Sequence, residues 1–322
     1  MATLIVLAYN EEKNLESTLS EVSNNFDEVI IVNDGSKDKT QEILNKLEKQ
    51  YKNLQIINNK KNNGAGKSFQ IAINEFLNSD SEYFIKIDGD GQFKSKDIIF
   101  AKKLIEENRD VDFIKFDRFW QNGIEGKIPT IRYVGNAFAS FLLKISTGNW
   151  YLNDPLNGLQ ALSRKASKLI NIPKLFNRYG YPFYIATTIS NNSMIENLKI
   201  IQSQNTIVYD INKKSIKPSI MLFKLLFFSI YSFYKKIIAK LKFSNLQLSA
   251  ILDMVSIVFF LSSIFSLNQF LQIRYFNSTG PQGNWFLLFI MLIILFITSM
   301  YQSQKIESTE HLENFTQISK NE

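Results

Sequence analysis

Five short apolar runs set the pattern of the N-terminal half. Thr3–Ala8, Val29–Val32, Leu54–Ile57, Tyr83–Ile87 and Phe113–Phe116 are nearly unbroken and rich in β-branched and aromatic residues, as expected of strands buried on both faces. The segments between them carry apolar residues at helical spacing: Leu15, Leu19 and Val22, then Ile43, Leu44 and Leu47, then Phe69, Ile73 and Phe76, then Ile98–Ile105. This alternation predicts an α/β domain with a mostly parallel sheet and helices on both faces. From Gly126 to Arg164 the pattern is less regular. Ile131–Ile145 keeps helical spacing, and Thr206–Ile211 reads as one more strand.

The pattern then changes character. Ile220–Phe243 is rich in Leu, Ile and Phe with Lys224, Lys235, Lys236, Lys240 and Lys242 interleaved, which predicts a basic amphipathic helix in a membrane interface. Met254–Leu271 and Trp285–Tyr301 follow, 18 and 17 residues without a charge. A span needs roughly 20 residues, with about 17 acceptable, so two in tandem predict a transmembrane hairpin. Tyr275, Trp285 and Tyr301 sit where interfacial aromatics are expected. Lysines precede the first span, while the loop Gln272–Asn284 holds only Arg274. The positive-inside rule then places the large domain and both termini in the cytoplasm. The expected organisation is a domain over 1–218, an interfacial helix over 219–245, a hairpin over 246–303 and a polar, disordered tail over 304–322, with its His311 in solvent.

Composition narrows the chemistry. The 322 residues include no cysteine and one histidine, which excludes disulfides, thiolate metal sites and a His-based zinc site. The net charge of +7 fits a membrane surface or an anionic substrate and needs no nucleic acid. The N-terminus enters a strand directly, so no signal peptide is expected.

Polar clusters fall at the carboxyl ends of three strands: Tyr9-Asn10-Glu11, Asn33-Asp34-Gly35 and Asp88-Gly89-Asp90. Sheets of this class bind ligands on that rim. Residues two apart on a strand share a face, so Asp88 and Asp90 can serve one site, and Gly89 lets backbone and ligand approach closely. Two hard oxygen donors suit a divalent cation that is also held by phosphate oxygens. Gly66-Lys67-Ser68 resembles the end of a phosphate loop, but that motif requires glycine at position 61, which is Lys. The helix start after Gly64 remains a candidate phosphate contact, with Lys67. Arg132 and Asn136 lie one turn apart on one helix face, and Asn153–Gly158 is a polar turn cluster.

Leu7-Ala8-Tyr9-Asn10-Glu11, Val32-Asn33-Asp34-Gly35-Ser36, Asn63-Gly64-Ala65-Gly66-Lys67 and Asp88-Gly89-Asp90-Gly91-Gln92 stand in order and spacing that resemble family 2 glycosyltransferases of the GT-A fold. With the hairpin, the chain resembles their polyprenyl-phosphate (dolichyl-phosphate mannosyltransferase-like) branch. The resemblance covers Thr3–Pro218 by motif. It implies an inverting transfer of one sugar from a UDP- or GDP-linked donor to the phosphate of a polyprenyl phosphate, at a membrane. By position, Tyr9, Glu11 and Asp34 resemble the residues that hold base and ribose. Asp88, Asp90 and Gln92 resemble the set that engages the diphosphate through Mg²⁺ or Mn²⁺. Arg118 and Arg132 resemble the arginines that receive the acceptor phosphate, with Asn136 near a small polar residue of that set. Asp154 and Gly158 match an Asp and a Gly before Arg164. Lys214, with Lys213 and Lys217, is an approximate stand-in for a diphosphate-binding arginine. Asp90, Arg118, Arg132 and Asp154 are thus the catalytic candidates. Leu7 stands in place of the usual proline and Asn33 in place of the first Asp of an Asp-Asp-Gly-Ser pattern, and the Gln-x-x-Arg-Trp motif of processive synthases is absent. The partners implied are a nucleotide-sugar, the lipid phosphate and the membrane, and a homo-oligomer is compatible. Two other readings stand: a transferase to a glycan or other hydroxyl with Asp154 as base, and a non-catalytic membrane scaffold of the same fold.

Overall fold

The computed structural model describes residues 1–120, 124–125, 128–208, 218–242, 247–275 and 280–319. The chain runs β1 (Ala2–Ala8), α1 (Leu15–Val22), β2 (Glu28–Asn33), α2 (Thr40–Gln50), β3 (Leu54–Asn58), α3 (Ala65–Asn78), β4 (Tyr83–Asp88), α4 (Ser95–Glu107) and β5 (Phe113–Asp117). It continues with β6 (Ile124–Glu125), α5 (Thr130–Thr147), β7 (Gln160–Ser163), α6 (Arg164–Ser167), α7 (Tyr181–Glu196), β8 (Ile200–Gln204) and β9 (Ile207–Val208). Three long helices, α8 (Pro218–Lys240), α9 (Gln247–Tyr275) and α10 (Gln282–Glu313), and a last strand, β10 (Phe315–Ile318), complete it.

The main sheet has the order β10-β8-β5-β7-β4-β1-β2-β3. Only β7 runs antiparallel to its neighbours, β4 and β5. Strand alternation splits the core into two layers. Leu4, Val6, Val29, Ile31, Ile85 and Ile87 join α1, α2 and α4 on one face. Ile5, Leu7, Ile30, Val32, Phe84 and Phe113 join α3, α5 and α7 on the other. The five predicted strands and four intervening helices are all present. Of the strand expected at Thr206–Ile211 the described residues include β9, and residues 209–217 lie outside those described; β5 pairs with β7 and with β8, upstream of that run.

The predicted hairpin is a contacting pair, α9 and α10, both long and apolar enough to cross a membrane, with mean hydropathy of 2.1 and 2.2. Only 28% and 6% of their most apolar windows is buried, so neither is a core helix of a soluble domain. The serines that weaken the first span as an apolar run have a reason. Ser249, Ser256, Ser263 and Ser266 are buried, and small residues let two apolar helices approach closely. Ser266 also donates to the Trp285 carbonyl at 2.7 Å.

Two expectations are corrected. Residues 305–318, expected to be disordered, are structured: α10 runs unbroken to Glu313, and β10 pairs in parallel with β8. Ser303, Gln304, Glu307 and His311 form a buried polar face. His311 is buried as well, between the Thr147 carbonyl at 3.0 Å and Ser193 Oγ at 3.2 Å. Hydropathy assigns such residues to solvent, but polar groups can be buried when partners offset much of the desolvation cost. On α8, Lys236 and Lys240 are likewise buried. The outward side of that helix is apolar, with Phe223, Phe227, Ile230 and Tyr234 exposed. α8 packs on α5, which itself exposes Ile131, Tyr133, Val134, Phe138 and Phe141.

Candidate active site

The carboxyl ends of β1, β2 and β4 open onto a cleft of about 460 Å³. Tyr9, Glu11, Asp34, Asp88 and Asp90 line it, so the three polar clusters do converge on one rim. Asp34 is buried and accepts hydrogen bonds from the Asn63 and Gly64 amides at 2.9 and 2.8 Å and from Asn59 Nδ2 at 2.9 Å. It therefore ties the end of β2 to the start of α3 and shapes the wall. Asn33 donates to Gln41 and Asn58 while accepting from Ser36; an ionised Asp could make only the accepting bonds.

Asp88 ends β4 with its Oδ1 2.7 Å from Lys86 Nζ, and Lys86 is wholly buried. Asp88 itself is about one third exposed. A Cβ at position 158 would stand 2.6 Å from Asp88 Oδ2, so Gly158 is what leaves that oxygen room. Asp90 lines the same cleft and accepts from the Gln92 amide at 3.2 Å. The Gln92 side chain is not among the lining groups. Gly89 is packed against Leu15 and the Leu7 carbonyl, which accounts for it by close packing with β1 and α1. Lys67 is exposed and does not line the cleft.

Beneath the site lies a buried polar row. Lys86 on β4, Gln160 on β7, Lys115 on β5 and Gln202 on β8 are in register across four strands, all fully buried. Phe84, Leu162, Phe113 and Ile200 form the apolar row below it. Lys115 donates to the Asn157 carbonyl, Gln202 donates to Asp117 at 3.1 Å, and the Gln160 amide has no partner among the described residues. Burial drives the Lys115 ammonium down from 10.5 to about 7, with the nearby Asp154 opposing the shift. The unfolded chain then holds a proton at this site between about pH 7 and pH 10 that the folded chain releases, so stability rises with pH across that window. Between pH 7 and 9 the gain is about 2 kcal/mol. Denaturant titrations at both pH values will show it in the wild-type chain and not in Lys115→Met.

Arg178 and Tyr179 also line the cleft and were not singled out by any motif. Their placement follows from two glycines. A Cβ at Gly64 would stand 2.6 Å from the Asn177 carbonyl oxygen, and one at Gly66 2.0 Å from that of Phe176. Lys67 N–H donates to Asn177 O at 2.9 Å. The glycines let the 176–179 loop lie on the start of α3 and present Arg178 and Tyr179 to the cleft.

A second pocket of about 350 Å³ lies between α5 and the 149–154 loop. Phe119, Tyr133, Phe141 and Trp150 give it apolar walls, and Asn136, Ser140, Lys144, Asn153 and Asp154 are its polar groups. The Asn136 side-chain oxygen is buried without a partner among the described residues. Lys144 is half-buried; burial lowers its pKa, with Asp117 opposing. Burial and the neighbouring Asp154 push the Asp117 carboxyl up. Arg118 is clamped by Asp154, with Nε–Oδ2 at 2.7 Å, Nη2–Oδ1 at 2.6 Å and the Arg118 amide on Oδ2 at 3.0 Å. Arg132, on the first turn of α5, does not line the pocket. Lys213, Lys214 and Lys217 lie outside the described residues.

A mostly parallel sheet with a carboxylate-lined cleft on its carboxyl rim defines a GT-A-like nucleotide-sugar transferase architecture. The profile of glycosyl transferase family 2 matches residues 3–167, and the chain belongs to that family. It is 32% identical over 194 residues to a UDP-N-acetylglucosamine–dolichyl-phosphate N-acetylglucosaminyltransferase of Methanococcus voltae, covering 55% of this chain and 74% of that one. It is 36% identical over 115 residues to a dolichyl-phosphate beta-glucosyltransferase of Trichomonas vaginalis, covering 32% and 35%. An uncharacterized protein of Methanocaldococcus jannaschii is 35% identical over 152 residues, 44% and 60% of the two chains. The matches thus span less than two thirds of the second and third of these relatives. Among solved structures, glucosyl-3-phosphoglycerate synthase from Mycobacterium tuberculosis, in complex with UDP, superposes with a TM-score of 0.51 at 13% identity over 73% of this chain and 79% of that one, which establishes the shared fold.

Proposed function

We propose that the chain is a membrane-bound inverting transferase that moves one sugar from a nucleotide-sugar to the phosphate of a polyprenyl phosphate, with the catalytic domain and both termini cytoplasmic. The observation that carries this reading is the second pocket. It is aromatic, carries Lys144 among its polar groups, opens beside the exposed apolar face of α5, and shares Trp150 with α10, whose Gln304 accepts from the indole N–H at 2.9 Å. An isoprenoid phosphate has the matching amphipathic chemistry. The relatives named for dolichyl-phosphate sugar transfer support the same class.

In this reading the first cleft holds the donor, with Tyr9 and Glu11 on the nucleoside side and Arg178 facing the diphosphate. Asp88 and Asp90 fit a divalent cation, Mg²⁺ or Mn²⁺: both are in one cleft, and Gly158 keeps Asp88 Oδ2 uncovered. Among the described residues no third acidic, His or Cys side chain completes a cluster, so diphosphate oxygens are needed to fill the coordination. Such a cation supplies Lewis-acid support for the departing nucleoside diphosphate. Lys86 fixes the Asp88 carboxylate from below. Asn136 and Lys144 receive the acceptor phosphate, which is already anionic and needs positioning and electrostatic support more than a base. In-line attack inverts the anomeric centre. Both Asp154 oxygens accept from Arg118, a geometry that suits a clamp on the guanidinium more than a base and disfavours the hydroxyl-acceptor reading.

The test is turnover by the detergent-purified full chain with Mg²⁺ or Mn²⁺, across a donor panel, with and without polyprenyl phosphate. Nucleoside diphosphate release that depends on the lipid, with a glycolipid product, is expected. Release with a sugar acceptor instead would move the assignment to a hydroxyl, and failure to bind any donor would leave a scaffold. Lys144→Met is expected to raise the KM for polyprenyl phosphate about 10-fold or more, the worth of a charge-assisted hydrogen bond, with the donor KM unchanged and Lys144→Arg near wild type.

A further inference from the structure

At the boundary between hairpin and catalytic domain, four charged side chains are buried together. Lys236 and Lys240 lie one turn apart on α8, Asp253 on α9 and Glu307 on α10, each at most 2% exposed. Lys236 Nζ is 2.8 Å from Glu307 Oε2 and 3.9 Å from Asp253 Oδ2, and Lys240 contacts both carboxylates. Ser249 accepts from Lys240 at 2.7 Å and donates to Glu307 at 2.9 Å. The cluster is neutral and joins three helices.

It also reaches the catalytic domain. A Cβ at Gly148, the left-handed cap that ends α5, would stand 1.9 Å from Glu307 Oε2. Beyond Glu307 the same helix continues, with Ser308 on Tyr151 at 3.2 Å and His311 on Thr147, and β10 then enters the main sheet. The second apolar helix is therefore one rod with the piece that docks on α5, the helix carrying Asn136 and Lys144.

Four buried charges are a poor source of stability, because well-packed apolar residues of similar volume do as well or better. What a buried ionic cluster does supply is a unique register between helices. We infer that Lys236, Lys240, Asp253 and Glu307 are positioning residues: they form a keyed joint that fixes the height and tilt of the catalytic domain over the membrane, and with it the alignment of the acceptor pocket on a lipid-borne phosphate. The link to the lipid phosphate rests on the function proposed above; the joint itself does not.

The chain has no cysteine, so paired spin labels at Lys103→Cys on α4 and Gln272→Cys on α9 report the geometry across the joint in nanodiscs. The variants are Glu307→Gln and an apolar quartet, Lys236→Met, Lys240→Met, Asp253→Leu and Glu307→Leu. The quartet is expected to fold, with a thermal midpoint at or above wild type, and to show a distance distribution at least about twice as broad, since helix register is no longer specified. Turnover with a long polyprenyl phosphate in nanodiscs falls about 10-fold or more through misalignment, while turnover with a short, water-soluble isoprenyl phosphate stays near wild type. A quartet with a narrow wild-type distribution and full turnover on the long lipid overturns the joint. So does an equal loss on both acceptors without broadening. Should the quartet not fold, Glu307→Gln is read by the same criteria. Wild-type protein inert towards every lipid phosphate would overturn the proposed function, while the distance distributions would still decide the joint.

Discussion

Asp88→Asn is expected to cost about 10³-fold in kcat/KM for sugar transfer, several kcal/mol of transition-state stabilisation lost with one of two carboxylates that the cleft offers a cation. Donor binding weakens as well, because the diphosphate shares that cation. The structure adds a complication that must be separated from the chemistry. Lys86 is fully buried and Asp88 Oδ1 is its ion partner at 2.7 Å. The amide keeps an oxygen that can accept from Lys86 but removes the counter-charge of a buried ammonium, at a cost of about 1–3 kcal/mol. The double variant Lys86→Met/Asp88→Asn therefore regains stability, read as the denaturant midpoint, without regaining turnover. Asp88→Asn with wild-type kcat/KM would remove the metal role. Recovery of activity in the double variant would mean that Asp88 serves only to neutralise Lys86. Asp90→Asn should show a comparable loss of rate, since it removes the other of the two carboxylates.

The main features of the fold could be read from the sequence where apolar pattern alone decides structure. Runs such as Thr3–Ala8 have no exposed face, so they fit only a strand covered on both sides. The convergence of Asp34, Asp88 and Asp90 was legible for a topological reason: parallel strands all end at one rim. What escaped is what pattern cannot encode. β7 is four residues, Gln160-Ala161-Leu162-Ser163, too short for a period, and it is a strand because β4 and β5 present open edges on either side of it. Lys86 and Lys115 look like ordinary interruptions of apolar runs, and only the register of β4, β7 and β5 aligns them in one row. The polar tail joined the fold because its Ser303, Glu307 and His311 face matches partners more than one hundred positions away in the case of His311 and Thr147. Arg178 and Tyr179 had one signal, the glycines at 64 and 66, whose spacing called for close approach of another segment without saying which.

Asp154 separates the acceptor classes, and its substitution should have the larger effect on the fold. Its backbone is in the left-handed region at φ 47°, which Asn tolerates, so Asp154→Asn tests the charge and leaves the turn. The amide cannot hold both Nε and Nη2 of Arg118, and a guanidinium that is about 13% exposed loses the Asp154 charge. Loss of one partner from a buried pair costs about 3–5 kcal/mol, visible as a lower denaturant midpoint. The kinetic outcome depends on the acceptor. With a lipid phosphate, no proton has to be removed by the enzyme; Asp154→Asn lowers kcat about 10-fold through a loosened 149–154 loop. The KM for polyprenyl phosphate does not rise, because a negative charge has left the pocket. The pH profile keeps its shape. With a hydroxyl acceptor and Asp154 as base, kcat falls by about 10²–10⁴ and the acidic limb of the profile disappears. Measuring kcat, acceptor KM and the pH profile on the same protein therefore distinguishes a clamp that orders Arg118 from a base that removes a proton.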